Sequence, residues 1–256
     1  MEKEAANLIY GVHAVREVLL HAPHRLIRVI LEEGRVEKKE EIVSLCQKAK
    51  IPLQFVSKER LNRMTNSSFH QSMAAEIKQR VFLDVKGFLK LIESKENALI
   101  LMLDQIFDPQ NFGSLIRSAE CFGADGIVWS KNRGTDLTST VVKASCGASE
   151  LLSLVRISNL AQAVEEFQKA GFSAIAALVT PSSENAFTFH FPPKTLLIVG
   201  SEGEGIQPLI QKKADHSLYI PMQGKIASLN VSNAAAILLA LYRQETRECT
   251  EKNRKK

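Results

Sequence analysis

Between Ala98 and Thr246, short apolar runs alternate with amphipathic stretches, and this alternation restricts the chain to few architectures. Strands are expected at Ala98–Asp104, Gly126–Trp129, Leu152–Ile157, Ser173–Val179, Thr195–Val199 and Ser217–Ile220. Helices are expected at Gly113–Phe122, Leu160–Ala170 and Leu229–Thr246. Strands separated by helical crossovers pair in parallel, and helices then cover both faces of the sheet. The fold class read from the pattern is α/β with a largely parallel sheet.

A second, smaller α/β unit precedes it in residues 1–80. There Leu26–Leu31 is rich in β-branched residues and reads as a strand. Glu37–Ala49 has the spacing of an amphipathic helix. Leu53–Val56 and Met73–Ile77 read as further strands, with Ser57 as the N-cap of a helix between them. Residues 81–97 suit a linker or a short bridging helix. The polar, basic end 247–256 is expected to be disordered.

Charge is distributed unevenly. Residues 1–80 carry 14 Lys and Arg against 10 Asp and Glu, and 98–242 carry 10 against 12. The tail 243–256 carries 6 against 3. A polyanion such as RNA would be drawn to the first unit and the tail by phosphate neutralisation, although a pI near 9.0 by itself marks no partner. No apolar run reaches the roughly 18 residues of a membrane helix, and Met1-Glu2-Lys3-Glu4 lacks a signal-peptide pattern. The expectation is a cytoplasmic protein with no membrane contact. Cys46, Cys121, Cys146 and Cys249 have no metal-ligand spacing and read as buried, reduced thiols, so no metal is expected.

Ligands of parallel sheets bind beyond the carboxyl ends of the strands, and three such loops carry chemistry-bearing residues. The first, Leu103 to Arg117, ends a buried strand in a polar turn and opens a helix near Asn111. Asn111 and Arg117 could both face the cleft, or be a helix cap and a solvated side chain. The second, Val199-Gly200-Ser201-Glu202-Gly203-Glu204-Gly205, has neither dinucleotide nor P-loop spacing. Its glycines permit close backbone approach, and its two acids suit a cationic ligand better than phosphate. The third, Tyr219 to Ala236, leaves a strand at Pro221 and enters a small-residue helix at Ser228 or Asn230.

In this order the three segments resemble the three motifs of the SpoU (TrmH) RNA ribose methyltransferases of the SPOUT superfamily. The likeness continues through Lys143-Ala144-Ser145-Cys146-Gly147-Ala148 and covers about 98–246. It is greatest to the bacterial 23S ribosomal RNA guanosine 2'-O-methyltransferase subgroup. Ile9-Tyr10-Gly11-Val12-His13-Ala14-Val15 and His70-Gln71-Ser72 resemble the small RNA-binding domain of many members, itself similar to ribosomal protein L30e. The resemblance implies an L30e-like domain at 1–80, a linker at 81–97 and a methyltransferase domain at 98–246. It also implies a trefoil knot near the carboxyl end and a homodimer packed through the last helix.

It further implies S-adenosyl-L-methionine as cofactor, bound at Gly200, Ile220 and Leu229, and a catalytic set of Asn111, Arg117, Glu202, Ser228 and Asn230. Arg117 is the family's candidate for activating the ribose hydroxyl. A guanidinium stays protonated, so it would clamp phosphate and stabilise the forming alkoxide. Glu202 and Asn111 would orient Arg117 and the ribose. Ser228 and Asn230 would shape the pocket floor. The histidines are expected to be structural. The alternatives are a transfer-RNA ribose methyltransferase and a non-catalytic RNA-binding protein of the same fold.

Overall fold

The computed structural model describes residues 8–34, 39–201, 203–226 and 228–254. In chain order the first elements are β1 (Leu8–Tyr10), α1 (Val12–His21), β2 (Leu26–Glu32), α2 (Glu40–Ala49), β3 (Leu53–Val56), α3 (Lys58–Thr65) and β4 (Met73–Ile77). Next come α4 (Val85–Ile92), β5 (Ala98–Asp104), α5 (Pro109–Cys121), β6 (Gly126–Ser130), α6 (Ser139–Ala144) and β7 (Ser153–Ile157). The chain continues through α7 (Leu160–Lys169), β8 (Ser173–Ala177), β9 (Glu184–Asn185), β10 (Lys194–Gly200), α8 (Pro208–Lys213), β11 (His216–Tyr219) and α9 (Val231–Arg254). Two compact units result: Met1–Val81 with Leu137–Leu151, and Phe82–Asp136 with Leu152–Lys256.

The first unit holds a four-stranded sheet in the order β1-β4-β2-β3. β4 runs antiparallel to both β1 and β2, and β3 is parallel to β2. Ser57 caps α3 as expected, its hydroxyl accepting the Arg60 N–H at 3.3 Å. Val15, Val18, Leu31, Ile42 and Met73 form a core that also takes in Val142 from the inserted segment. That segment is held by a buried ion cluster. The Glu150 side chain is fully buried and pairs with Arg25 at 3.0 Å and with Arg80. Breaking such a cluster from one side strands a buried charge.

The second unit is a seven-stranded sheet, β7-β6-β5-β10-β8-β11-β9, in which every pairing is parallel. All seven residues of central β5 are buried, as its unbroken apolar run dictates. Ile100 and Met102 pack with Leu196 and Ile198 of β10, Phe88 of α4 and Phe167 of α7 in one core. Leu99, Leu101 and Leu197 alternate with them and are equally buried. On that other face α5 packs against α9 and β6, and α9 against β10.

Three local readings differ from the structure. α5 starts at Pro109, earlier than Gly113, because Asp108 accepts the N–H groups of Gln110 and Asn111 and Pro109 takes the first helical position. Residues 81–97 hold a short helix, the alternative to a linker, but the Val85, Phe88 and Ile92 side chains of this α4 are buried in the second unit's core instead of bridging. The helix expected to stop at Thr246 continues to Arg254 through Glu, Lys and Arg, which are strong helix formers. Among the cysteines, Cys46 is buried, its thiol pushed up to about 11 by burial. Against the expected burial, Cys121 is exposed and Cys146 half-buried, while the Cys249 side chain lies outside the described residues.

Candidate active site

β5 and β10 are adjacent and in register up to Asp104 opposite Gly200, so the first two loops leave the sheet side by side. The backbone turns sharply at Gln105, φ 57°, a conformation costly for a residue with a side chain. The Ile106 carbonyl then accepts the Thr135 N–H at 2.7 Å. Asn111 follows in the first turn of α5 and is half-buried.

The glycine loop folds back on itself. Ser201 and Gly205 exchange two backbone hydrogen bonds, 3.2 and 3.1 Å, and the Ser201 hydroxyl accepts the Glu204 N–H at 3.2 Å. This closure brings the Gly205 carbonyl against Gly200. A Cβ at Gly200 would lie 2.3 Å from Gly205 C and O, so glycine is obligatory there. Gly205 itself has φ 69°, which a side chain would strain.

A buried carboxylate ties these two loops together. Asp104 is 0% exposed and accepts the Gln207 N–H at 2.7 Å and the Gln207 side-chain amide at 2.6 Å. Arg133 in turn donates to Gln207 Oε1. The sequence reading assigned Asp104 no role. The available signal was an acid closing an otherwise apolar, fully buried strand, a position that demands hydrogen-bond partners. Asp104→Ala is expected to lower stability by about 2 kcal/mol by leaving the Gln207 donors unpaired. A thermal melt unchanged from wild type would contradict this.

The third loop joins the first through a side-chain pair. Asn230 Nδ2 donates to Asn111 Oδ1 at 2.9 Å, while Asn230 Oδ1 accepts the N–H and hydroxyl of Ser232 at 2.9 and 2.5 Å. These bonds fix which way both amides point. Neither is an isolated cap: Asp108 caps α5, which frees Asn111 for this contact. The two helices are linked again at the carboxyl end of α5. Arg243 of α9 donates to the Phe122 and Gly123 carbonyls at 2.8 and 2.7 Å, satisfying the open end of α5. α5 and α9 therefore run side by side in the same direction.

The remaining expected residues fall as follows. Ile220 is half-buried just beyond β11. Ser228 is exposed, and Leu229 is exposed although apolar. Arg117 is exposed on α5, six residues beyond Asn111 and therefore roughly 120° away around the helix axis, so the two do not share one face. Glu202 lies outside the described residues. Among the described residues, no group of three or more His, Cys, Asp and Glu side chains could hold a metal ion.

Residues 98–240 match the SpoU rRNA Methylase family, and residues 8–82 match the family described as RNA 2'-O ribose methyltransferase substrate binding. The chain is 32% identical over 232 residues to the 23S rRNA (guanosine-2'-O-)-methyltransferase RlmB of Haemophilus influenzae, covering 90% of this chain and 94% of that protein. Its fold is similar to the SpoU methyltransferase AviRb of Streptomyces viridochromogenes, solved in complex with AdoMet, with a TM-score of 0.75 at 22% identity over 94% of this chain and 90% of that one. It is also similar to the TrmH/SpoU tRNA modifying enzyme of A. aeolicus, with a TM-score of 0.55 at 25% identity over 65% of this chain and 84% of that one. With more than half its length matched by the SpoU rRNA Methylase family, and a relative of 32% identity covering 90% of it, the chain belongs to that family.

Proposed function

We propose that this chain transfers the methyl group of S-adenosyl-L-methionine to a ribose 2'-hydroxyl of RNA, with a guanosine of 23S ribosomal RNA as the substrate. The observation that carries the reading is the Asn111–Asn230 pair, which joins the first and third motifs beside the paired ends of β5 and β10. The residues present fit the cofactor. Gly200 meets the Gly205 backbone with no room for a side chain, so the loop closes tightly at the end of β10. Met222, Ile226 and Leu229 are 39%, 77% and 37% exposed around the strand ends, apolar surface that a purine ring would cover.

S-adenosylmethionine, when bound, supplies a methyl carbon already activated by its sulfonium. The protein's task is then to position the hydroxyl and stabilise its loss of a proton. The Arg117 guanidinium holds the neighbouring phosphate and stabilises the forming alkoxide, with a base or water taking the proton. Asn111, locked amide to amide with Asn230, orients the ribose, and Ser228 and Asn230 shape the pocket floor. Glu202 orients Arg117. Gly200, Ile220 and Leu229 hold the cofactor. Gly200→Ala is expected to weaken cofactor binding at least tenfold. Calorimetry giving wild-type affinity for this variant would remove the glycine loop from the site.

The same reading includes a trefoil knot through the second and third motifs and a homodimer. Dimer packing is supported by Ile237 and Leu241, apolar residues of α9 left half-buried beside the fully buried Leu238 and Tyr242. Residues 1–80 recruit RNA, and the site of action is the cytoplasm. Among the described residues no helix is long and apolar enough to cross a membrane. A ribosomal rather than transfer-RNA substrate is favoured by the likeness to the 23S rRNA (guanosine-2'-O-)-methyltransferase of Haemophilus influenzae over 90% of this chain. Primer extension on 23S ribosomal RNA from a deletion strain should lose one 2'-O-methyl stop that reappears on complementation. An unchanged pattern there, with a stop lost from a transfer RNA, would transfer the substrate assignment.

A further inference from the structure

Two sequence motifs of the first unit take no part in methyl transfer, and the fold brings them together. The Gly11 N–H donates to the Met73 carbonyl at 3.1 Å, and the Val12 N–H to Gln71 Oε1 at 3.0 Å. Residues 10–13 thus meet residues 69–73 on one surface. At its edge stands Phe69, 73% exposed. The Lys143 ammonium lies 5.4 Å from the centre of the Phe69 ring and 5.3 Å from that of Tyr10, near both aromatic side chains at once.

The loop presenting this ring is held rigidly. Asn66, Gln71 and Ser72 have φ of 47°, 54° and 63°, the left-handed region that residues with side chains enter at a cost. Bonds on all sides hold them there. His70, 2% exposed, accepts the Ser72 N–H on Nδ1 at 3.0 Å, so Nε2 carries the proton donated to Asn62 at 2.7 Å. The Ser72 hydroxyl donates to Glu32 at 2.6 Å, and the Phe69 N–H to Ser67 Oγ at 3.1 Å. A buried, doubly bonded His70 fits its expected structural role. The strain maintains a loop whose apolar ring faces solvent.

We propose that Phe69 is a stacking platform for an unpaired base of the RNA substrate, with Lys143 neutralising the phosphate next to that base. A single exposed ring beside a cation matches the alternation of π-face and phosphate along a single strand. A protein partner would call for a wider apolar patch. The sign of the charge agrees, since residues 1–80 carry the basic excess and Lys143 adds to it. The platform rests on the reading of the chain as an RNA methyltransferase and names how that enzyme grips its substrate.

The test uses the full-length protein and a mixed-sequence 12-nucleotide RNA with 2-aminopurine at its centre, as a single strand and as a duplex, over a range of salt. Phe69→Ala should weaken single-strand binding about tenfold and abolish the 2-aminopurine quench, with an unchanged salt slope and little effect on the duplex. Phe69→Trp should restore both affinity and quench. Lys143→Gln should reduce the slope of log affinity against log salt by about 0.7. Removing a ring this exposed leaves the core intact. Wild-type affinity and quench in Phe69→Ala would overturn the platform, as would equal losses on single strand and duplex. A variant that instead lost self-association would mark a protein contact and overturn it too. Wild-type protein that binds neither oligonucleotide nor 23S ribosomal RNA would overturn the methyltransferase reading itself.

Discussion

Arg117→Ala is expected to lower the rate of methyl transfer roughly 10²–10³-fold, the usual cost of removing one preorganised donor from a developing oxyanion. Affinity for S-adenosylmethionine should stay within about twofold of wild type, because Arg117 is exposed on α5 and is assigned to the RNA side of the site. Arg117→Lys should recover little, since a compact ammonium does not reproduce the planar guanidinium. Single-turnover kinetics at saturating RNA separates chemistry from binding. A wild-type single-turnover rate in the alanine variant would take Arg117 out of the mechanism.

The second large effect concerns where the catalytic unit begins. A chain starting at Phe82 should fold and bind S-adenosylmethionine, whereas one starting at Ala98 should not. The difference is α4, whose Val85, Phe88 and Ile92 fill the core against Ile100, Met102 and Phe167. Phe88 is 0% exposed and Val85 and Ile92 are 6% and 5% exposed. Losing these side chains costs about 5–10 kcal/mol in cavities and exposed apolar surface, comparable to the whole stability of a domain. The segment before α4 is also tied in, the Leu83 N–H donating to the Leu154 carbonyl at 3.0 Å. Equal denaturation midpoints for the two truncated chains would show that α4 is dispensable.

The legible parts of this fold are those in which local pattern and tertiary role coincide. β3, β4 and β5 have the expected bounds, β5 because its apolar run ends at Asp104. α4 was harder to assign, since eight residues flanked by balanced charge resemble a linker until Phe88 is seen buried. The docking of Leu137–Leu151 on the first unit was not legible at all. It depends on Glu150 meeting Arg25 and Arg80, and nothing in sequence separation marks a carboxylate as buried between two distant arginines.

The site divides in the same way. The family resemblance, carried by the order of the three loops, pointed to Gly200, Asn111 and Asn230, but only the fold joined the two asparagines. Ile220 and Leu229 read as plain core residues without the family resemblance. Asp104 was missed because its importance comes from Gln207, which follows a different strand.

One measurement bears most directly on the central claim. Purified protein is incubated with methyl-labelled S-adenosylmethionine and unmodified 23S ribosomal RNA, and the RNA is digested to nucleosides for mass spectrometry. The account predicts label in 2'-O-methylguanosine at about one site per RNA, accumulating roughly 10²–10³-fold more slowly with Arg117→Ala. Label on a base instead of a ribose, or no label from protein that binds both cofactor and RNA, would contradict it.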